Sequence, residues 1–272
     1  MTKLYYAPGA CSLSPHIVLC ESGLPFDLVL ANLKTHKLAD GTDYYGISPK
    51  GYVPLLELND GQHLSEGPAI VQYIADQVPA SKLAPAAGTM ERYRLMEWLS
   101  FITSELHKGF SPVFNPAMPE EAKVLARAKL TERLAWVDTQ LEGKPFLMGD
   151  TFTVADAYLF TVTRWAKPMN IDLAPYPNLL AFQERVAERI DTGGEIDGIA
   201  FGGEAGERRE DGFEDRQVSR GSGRAGIGRE VEQDQRDLAL GAFRAAQRDH
   251  LGDFARQRFG TLGESGRRFG FG

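Results

Sequence analysis

The sequence lacks any apolar run approaching the roughly 18 to 20 residues that a helical membrane span needs, so no membrane partner is expected. It also lacks an excess of positive charge. Lys and Arg number 30 against 37 Asp and Glu, a formal net charge of -7. That balance exerts no general pull on nucleic-acid phosphates or anionic lipid, and no nucleic acid is expected as a partner. Cysteine is scarce, with only Cys11 and Cys20. They fall in one predicted helical segment, at a spacing that fits neither a disulfide nor a metal-ligand framework. Each is therefore read as a single thiol, and no metal is expected. The opening Met1-Thr2-Lys3-Leu4-Tyr5-Tyr6 runs straight into a strand pattern without the apolar core of a signal peptide, which makes a cytoplasmic address the expectation.

What is present suffices for two compact domains: 272 residues, 43% of them hydrophobic. Residues 3–7 read as a strand and Pro8-Gly9-Ala10 as a turn, followed by a helix through Ile17, Val18, Leu19 and Cys20 that stops at Gly23. Phe26 to Ala31 reads as a second strand. Pro54 to Leu58 reads as a third, joined through Asn59-Asp60-Gly61 to a fourth near His63-Leu64. A helix over Pro68 to Val78 closes the unit. This β-α-β, then β-β-α order specifies an α/β domain over residues 1–80, a small mixed sheet covered by helices.

Pro79 to Gly88, rich in Ala and Pro, reads as a linker. Beyond it the period changes to 3.6, over Met90 to Phe114, Pro119 to Leu141, Thr153 to Lys167 and Tyr176 to Arg189. Residues 89–189 are therefore expected to form an all-α domain. Residues 190–272 differ: they hold 18 of the 29 glycines and 13 arginines, and no lysine follows Lys167. Such composition buries little apolar surface, and this Gly/Arg-rich tail is expected to be largely disordered. Its acidic residues are as dense as its basic ones, which argues against an RNA-binding role.

Three segments can carry chemistry. In Tyr5-Tyr6-Ala7-Pro8-Gly9-Ala10-Cys11-Ser12-Leu13-Ser14, a cysteine stands at the expected mouth of a helix, where free amides and the helix dipole depress a thiol pKa. Its C-x-x-S spacing supplies no resolving cysteine, so a mixed disulfide there would need a second, external thiol for release. A small cysteine packed at a helix start is the structural alternative, and core packing is the favoured reading for Cys20. In Gly51-Tyr52-Val53-Pro54-Leu55 a proline opens a strand, either as an ordinary trans edge proline or as a cis device that presents the Val53 backbone to an extended ligand. In Ser65-Glu66-Gly67-Pro68-Ala69-Ile70 an acidic side chain sits beside helix-start amides. The pair suits the two charges of a free α-amino acid end, or simply caps the helix.

Together these segments resemble the cytosolic glutathione S-transferases, in particular the bacterial beta class, over residues 1 to 189. Further matching segments are Glu105-Leu106-His107-Lys108-Gly109 and Phe152-Thr153-Val154-Ala155-Asp156-Ala157-Tyr158. The resemblance implies a thioredoxin-like N-terminal domain followed by a helical-bundle C-terminal domain, and a homodimer. It implies glutathione as cosubstrate, conjugated to a small hydrophobic electrophile in a detoxification chemistry, with thiol-disulfide exchange at a redox Cys11 as a further activity on disulfides.

By the same resemblance Cys11, His107 and Ser12 serve the sulfur. Val53 and Pro54 face the cysteinyl backbone, Glu66 and Gly67 take the γ-glutamyl end, and His36 stands where relatives hold the glycyl carboxylate with lysine. Lys108 comes with His107 to the sulfur, and Ser100 and Ser104 help bind glutathione, Ser100 across the dimer interface. Phe110, Phe114 and Trp165 line the electrophile site, and Thr153 with Asp156 forms a capping box without a catalytic role.

The chain departs from the pattern in four places. His36 in place of lysine weakens the glycyl contact unless neighbouring Lys37 substitutes. Gly67 offers only its amide where a hydroxyl is common, and Ser100 is shorter than the usual asparagine. From Ile190 the text no longer matches the family's closing segment. A shifted reading frame or a fusion produces such a break; reading the gene in its other frames tests the idea, which fails if none restores the usual ending. A non-catalytic ligand carrier of the same fold is the alternative function.

Overall fold

A computed structural model describes residues 1–192. All but the first residues of the expected tail lie outside the described ones. The sheet domain is built on β1 (Thr2–Tyr6), which pairs parallel with β2 (Phe26–Asn32) and antiparallel with β4 (Leu55–Glu57). A parallel neighbour requires a crossover, and α1 (Leu13–Ser22) supplies it. Gly23, at φ 67°, ends α1 in the left-handed conformation that its lack of a Cβ permits. β5 (His63–Ser65) follows β4 through the expected turn, where Leu58 N–H meets Gln62 O at 2.8 Å. The sheet gains a fifth strand, β3 (Lys37–Leu38), on the outer edge of β2, giving the order β3-β2-β1-β4-β5. Two residues are too few to show a period of two, which is why the sequence pattern gave no sign of it.

Alternation along β1 and β4 separates two clusters. Leu4 and Leu56 join Ile17, Leu19, Ile70 and Ile74 from α1 and α2 (Gly67–Gln77) in a core that continues into the helical domain. Tyr5 and Leu55, on the other face, pack with Ala31, Tyr44 and Val53, with the Tyr5 and Tyr44 rings 5.6 Å apart.

The helical domain comprises α3 (Met90–Phe101), α4 (Lys108–Phe114), α5 (Glu120–Gln140), α6 (Val154–Thr163) and α7 (Pro177–Thr192). The single expected helix over Met90–Phe114 is corrected: a π-helical turn, Ile102–His107, separates α3 from α4. A widened turn leaves the apolar pattern almost unchanged, so periodicity does not register it. The helix expected over Thr153–Lys167 stops at Thr163, and a short 3₁₀ turn occupies Lys167–Met169. Pro168 there has no N–H with which to extend the α-helical ladder.

α6 is the domain's central post, buried from Val154 through Thr163 and packed against α1. Its start is held by Asp156, which accepts from Thr153 N–H, Thr153 O–H and Leu147 N–H, each at 2.8 Å. Two forked ion pairs join the domains. Buried Arg92 on α3 grips Asp76 on α2 at 2.7 and 2.6 Å, and also reaches the Pro85 carbonyl in the linker. Arg189 on α7 grips Glu21 on α1 at 2.8 and 2.6 Å. Among the described residues no helix is long and apolar enough to cross a membrane.

Candidate active site

The turn between β1 and α1 meets the helical domain. Gly9, at φ 72°, turns its carbonyl toward Trp165, whose indole N–H donates to it at 3.0 Å across the domain seam. Ser12 is almost fully buried and folded back on the turn: its hydroxyl donates to Ala7 O and accepts from Ala7 N–H, both at 3.2 Å. In this arrangement the Ser12 hydroxyl shapes the loop that presents Cys11.

Cys11 lies two residues ahead of α1, in the turn, and its thiol donates to Val53 O at 3.4 Å. The residue is half-buried, yet enclosure of its sulfur pushes the thiol pKa up to about 11. Local backbone hydrogen bonding and the Lys108 charge pull the other way without prevailing. The expected depression is thus corrected: desolvation of the thiolate outweighs the helix-start field at this position.

His107 projects from the end of the π turn into an aromatic nest. Its ring meets Trp165 edge-on at 5.0 Å and Tyr158 at 5.8 Å, and Trp165 packs against Phe114 at 5.4 Å and Phe110 at 5.7 Å. His107 Nδ1 lies 2.6 Å from the Tyr158 hydroxyl. Burial, helped by Lys108 and opposed by Glu66, lowers the imidazole pKa to about 4, leaving a neutral ring at physiological pH. Burial likewise raises the Tyr158 phenol, which the Cys11 and Glu66 charges also raise. Glu66, far away in sequence, is thus felt by Cys11, His107 and Tyr158, and Lys108 by Cys11 and His107.

Glu66 is the residue before α2, at φ 70°, and its carboxylate makes no capping bond. A non-glycine residue at positive φ is costly enough to need a reason. Here the turn holds an exposed carboxylate off the helix end, paired with Lys50 at 2.6 Å. Gly67 opens α2 with an amide that has no carbonyl one turn back. Val53 and Pro54 are buried, and the peptide between them is cis, the alternative that the sequence alone did not favour.

His36, at φ 50°, stacks on Tyr45 with centroids 4.3 Å apart, and its Nδ1 is buried without a partner among the described residues. Gly51 fits under this stack because a Cβ there would sit 2.6 Å from the Tyr45 ring. Lys37 is exposed on β3. Ser100 and Ser104 are exposed, and Ser104 donates to Ser100 O at 3.0 Å, so both face outward from this chain. Phe110 is fully buried behind Phe114 and Trp165, which are themselves nearly buried. Sequence reasoning assigned no role to Tyr158 or Lys50. Tyr158 ends the Phe152–Tyr158 segment and was in that sense visible, but nothing in the sequence signals Lys50.

Fold and site define a class: a two-domain, thioredoxin-like protein that handles a thiol at the seam between its domains. The family model "Glutathione S-transferase, N-terminal domain" matches residues 9–77, and "Glutathione S-transferase, C-terminal domain" matches residues 101–189. The chain is 48% identical over 187 residues to glutathione S-transferase GstA of Escherichia coli O157:H7, covering 69% of this chain and 93% of that protein. Among solved structures, the ternary complex of BphK, a bacterial glutathione S-transferase, is 57% identical with a TM-score of 0.68, over 70% of this chain and 96% of the other. The beta-class enzyme of Sphingomonas chungbukensis is 46% identical with the same TM-score and the same coverage. The chain belongs to the glutathione S-transferase family.

Proposed function

We propose that this protein conjugates glutathione to hydrophobic electrophiles, with the reacting sulfur held between Cys11 and His107. The observation that carries the reading is that Cys11 and His107 both lie under the fields of the same two charges, Glu66 and Lys108, with His107 packed against Trp165. In this reading the exposed Glu66 carboxylate takes the α-ammonium of the γ-glutamyl end, and the Gly67 amide takes its carboxylate. Val53 offers its backbone to the cysteinyl unit. The glycyl carboxylate lies toward His36, whose unpartnered Nδ1 fits an acceptor, and toward Lys37.

Neutral hydrogen-bond donors at the sulfur stabilise its thiolate and favour loss of the thiol proton to water. The thiolate electron pair then forms a bond to the electrophilic carbon, and the leaving group departs with its own pair. Phe114 and Trp165 supply the apolar wall for the electrophile. A thiol with a pKa near 11 is a poor nucleophile at neutral pH, so Cys11 acts first as a donor, its S–H turning from Val53 O to the glutathione sulfur, and only secondarily in disulfide exchange. We assign the protein to the cytoplasm and to a homodimer, in which outward-facing Ser100 and Ser104 are available to the site of a second copy.

The test is glutathione-dependent turnover of an activated chloroaromatic and of a mixed disulfide, on the full chain and on Cys11→Ala. Conjugation is expected to persist with at most about a tenfold loss, the net worth of one hydrogen bond, while disulfide turnover disappears. A folded protein that binds glutathione but turns over neither substrate would establish the carrier function instead.

A further inference from the structure

We infer that Tyr158 is a positioning residue that locks His107 in its Nε2–H tautomer, so that the neutral imidazole presents one fixed N–H donor toward the substrate sulfur. The use made of that donor rests on the conjugation reading above; the tautomer itself does not. The Thr103 hydroxyl donates to Leu99 O at 2.7 Å, which uses its only proton. The Tyr158 hydroxyl then has two neighbours able to accept: Thr103 Oγ1 at 3.4 Å and His107 Nδ1 at 2.6 Å.

If His107 carried its hydrogen on Nδ1, Tyr158 would become the acceptor and its own proton would be left with the 3.4 Å contact, too long for a good O–H···O bond. If Tyr158 donates to Nδ1, the Thr103 and Tyr158 protons both have short partners, and the ring hydrogen sits on Nε2. Tyr158 is itself fixed: it is buried, and α6, which carries it, is buried along its length. Burial keeps the phenol protonated and the imidazole uncharged, so the assignment holds through the neutral pH range. The edge-on Trp165 ring flanks His107 and limits its rotation. A ring whose other nitrogen is tied to a rigid partner presents its donor in one direction, as second-shell partners do for metal-bound histidines.

The first measurement is the pair of imidazole ¹⁵N shifts of His107 in the wild-type protein at neutral pH, assigned by their loss in His107→Ala. The expected pattern has Nδ1 unprotonated and Nε2 protonated. An Nδ1–H pattern, or equal population of the two tautomers, overturns the inference, and this reading stands apart from any activity.

The second measurement is Tyr158→Phe, with folding checked by near-UV circular dichroism. It should bring the tautomers toward mixture and lower kcat about 3- to 30-fold, with KM for glutathione within about twofold of the original. In a His107→Ala background the same substitution should change kcat by less than about twofold, since no ring is left to orient. An equal loss in both backgrounds would make Tyr158 a packing residue only.

Discussion

Asp156 offers the sharpest test of how this fold is held. Its carboxylate is fully buried and accepts from three donors at 2.8 Å: the Leu147 and Thr153 amides and the Thr153 hydroxyl. Asp156→Ala strands the two amides in positions where water cannot reach them, at about 1 to 3 kcal/mol each. Relief from burying a charge offsets part of that loss, so we expect a net destabilisation of about 2 to 3 kcal/mol. Reversible urea unfolding of the full chain at pH 7 is the assay. A loss below about 1 kcal/mol would mean that neighbouring groups or water replace the carboxylate, and the reasoning would be wrong.

The same residue predicts a pH signature. Burial raises the Asp156 carboxyl from 3.8 to about 6, so the folded state takes up a proton before the unfolded state does. Its contribution to stability therefore grows as pH falls through 6 and is complete below the unfolded value of 3.8. Measured against Asp156→Asn, which does not titrate, the wild type should gain on the variant between pH 7 and pH 4.5. The comparison cancels every other titrating group the two proteins share, and a difference of opposite slope would refute the assigned cause.

Three further predictions concern the site and the seam. His107, held down to about 4 from 6.5, should contribute the opposite slope: stability is lost as pH falls below 6.5 toward 4, and His107→Gln should be less acid-sensitive over that range in urea unfolding. With Cys20 replaced by serine, Cys11 should alkylate at pH 8 at least about tenfold more slowly than free cysteine, with a rate still rising above pH 9; an inflection between pH 5 and 7 would restore the depressed-thiol reading. Arg92→Ala should destabilise the protein by about 2 kcal/mol, below the range for a fully buried pair because Asp76 remains partly solvated, and chemical denaturation measures it.

The comparison between text and structure is instructive element by element. β1, β2, the β4–β5 hairpin and most helices were legible because alternation, turn residues and 3.6-residue periodicity are local signals. The π turn before His107 and the two-residue β3 were not, since one widens a helix without disturbing its apolar pattern and the other is shorter than any period. Cys11, Glu66, Val53 and His107 were singled out from the sequence, and the structure places them around one seam. The state of Cys11 was misread from its position at a helix start, because desolvation depends on what the helical domain lays over the sulfur. That the Ser12 hydroxyl folds back onto its own loop is likewise a matter of local geometry that no motif states.

The sequence by itself determined the family, the succession of a mixed sheet and a helical domain, and the residue types available for thiol chemistry, because these follow from local pattern and from motif. Tertiary structure alone decided protonation states and hydrogen-bond roles. Whether Cys11 keeps its proton, whether His107 is charged, and which of its nitrogens Tyr158 engages all depend on burial and on distances between residues some 50 to 150 positions apart. Solvent exclusion and hydrogen-bond geometry act over a few ångströms in space, and no period in the chain encodes them.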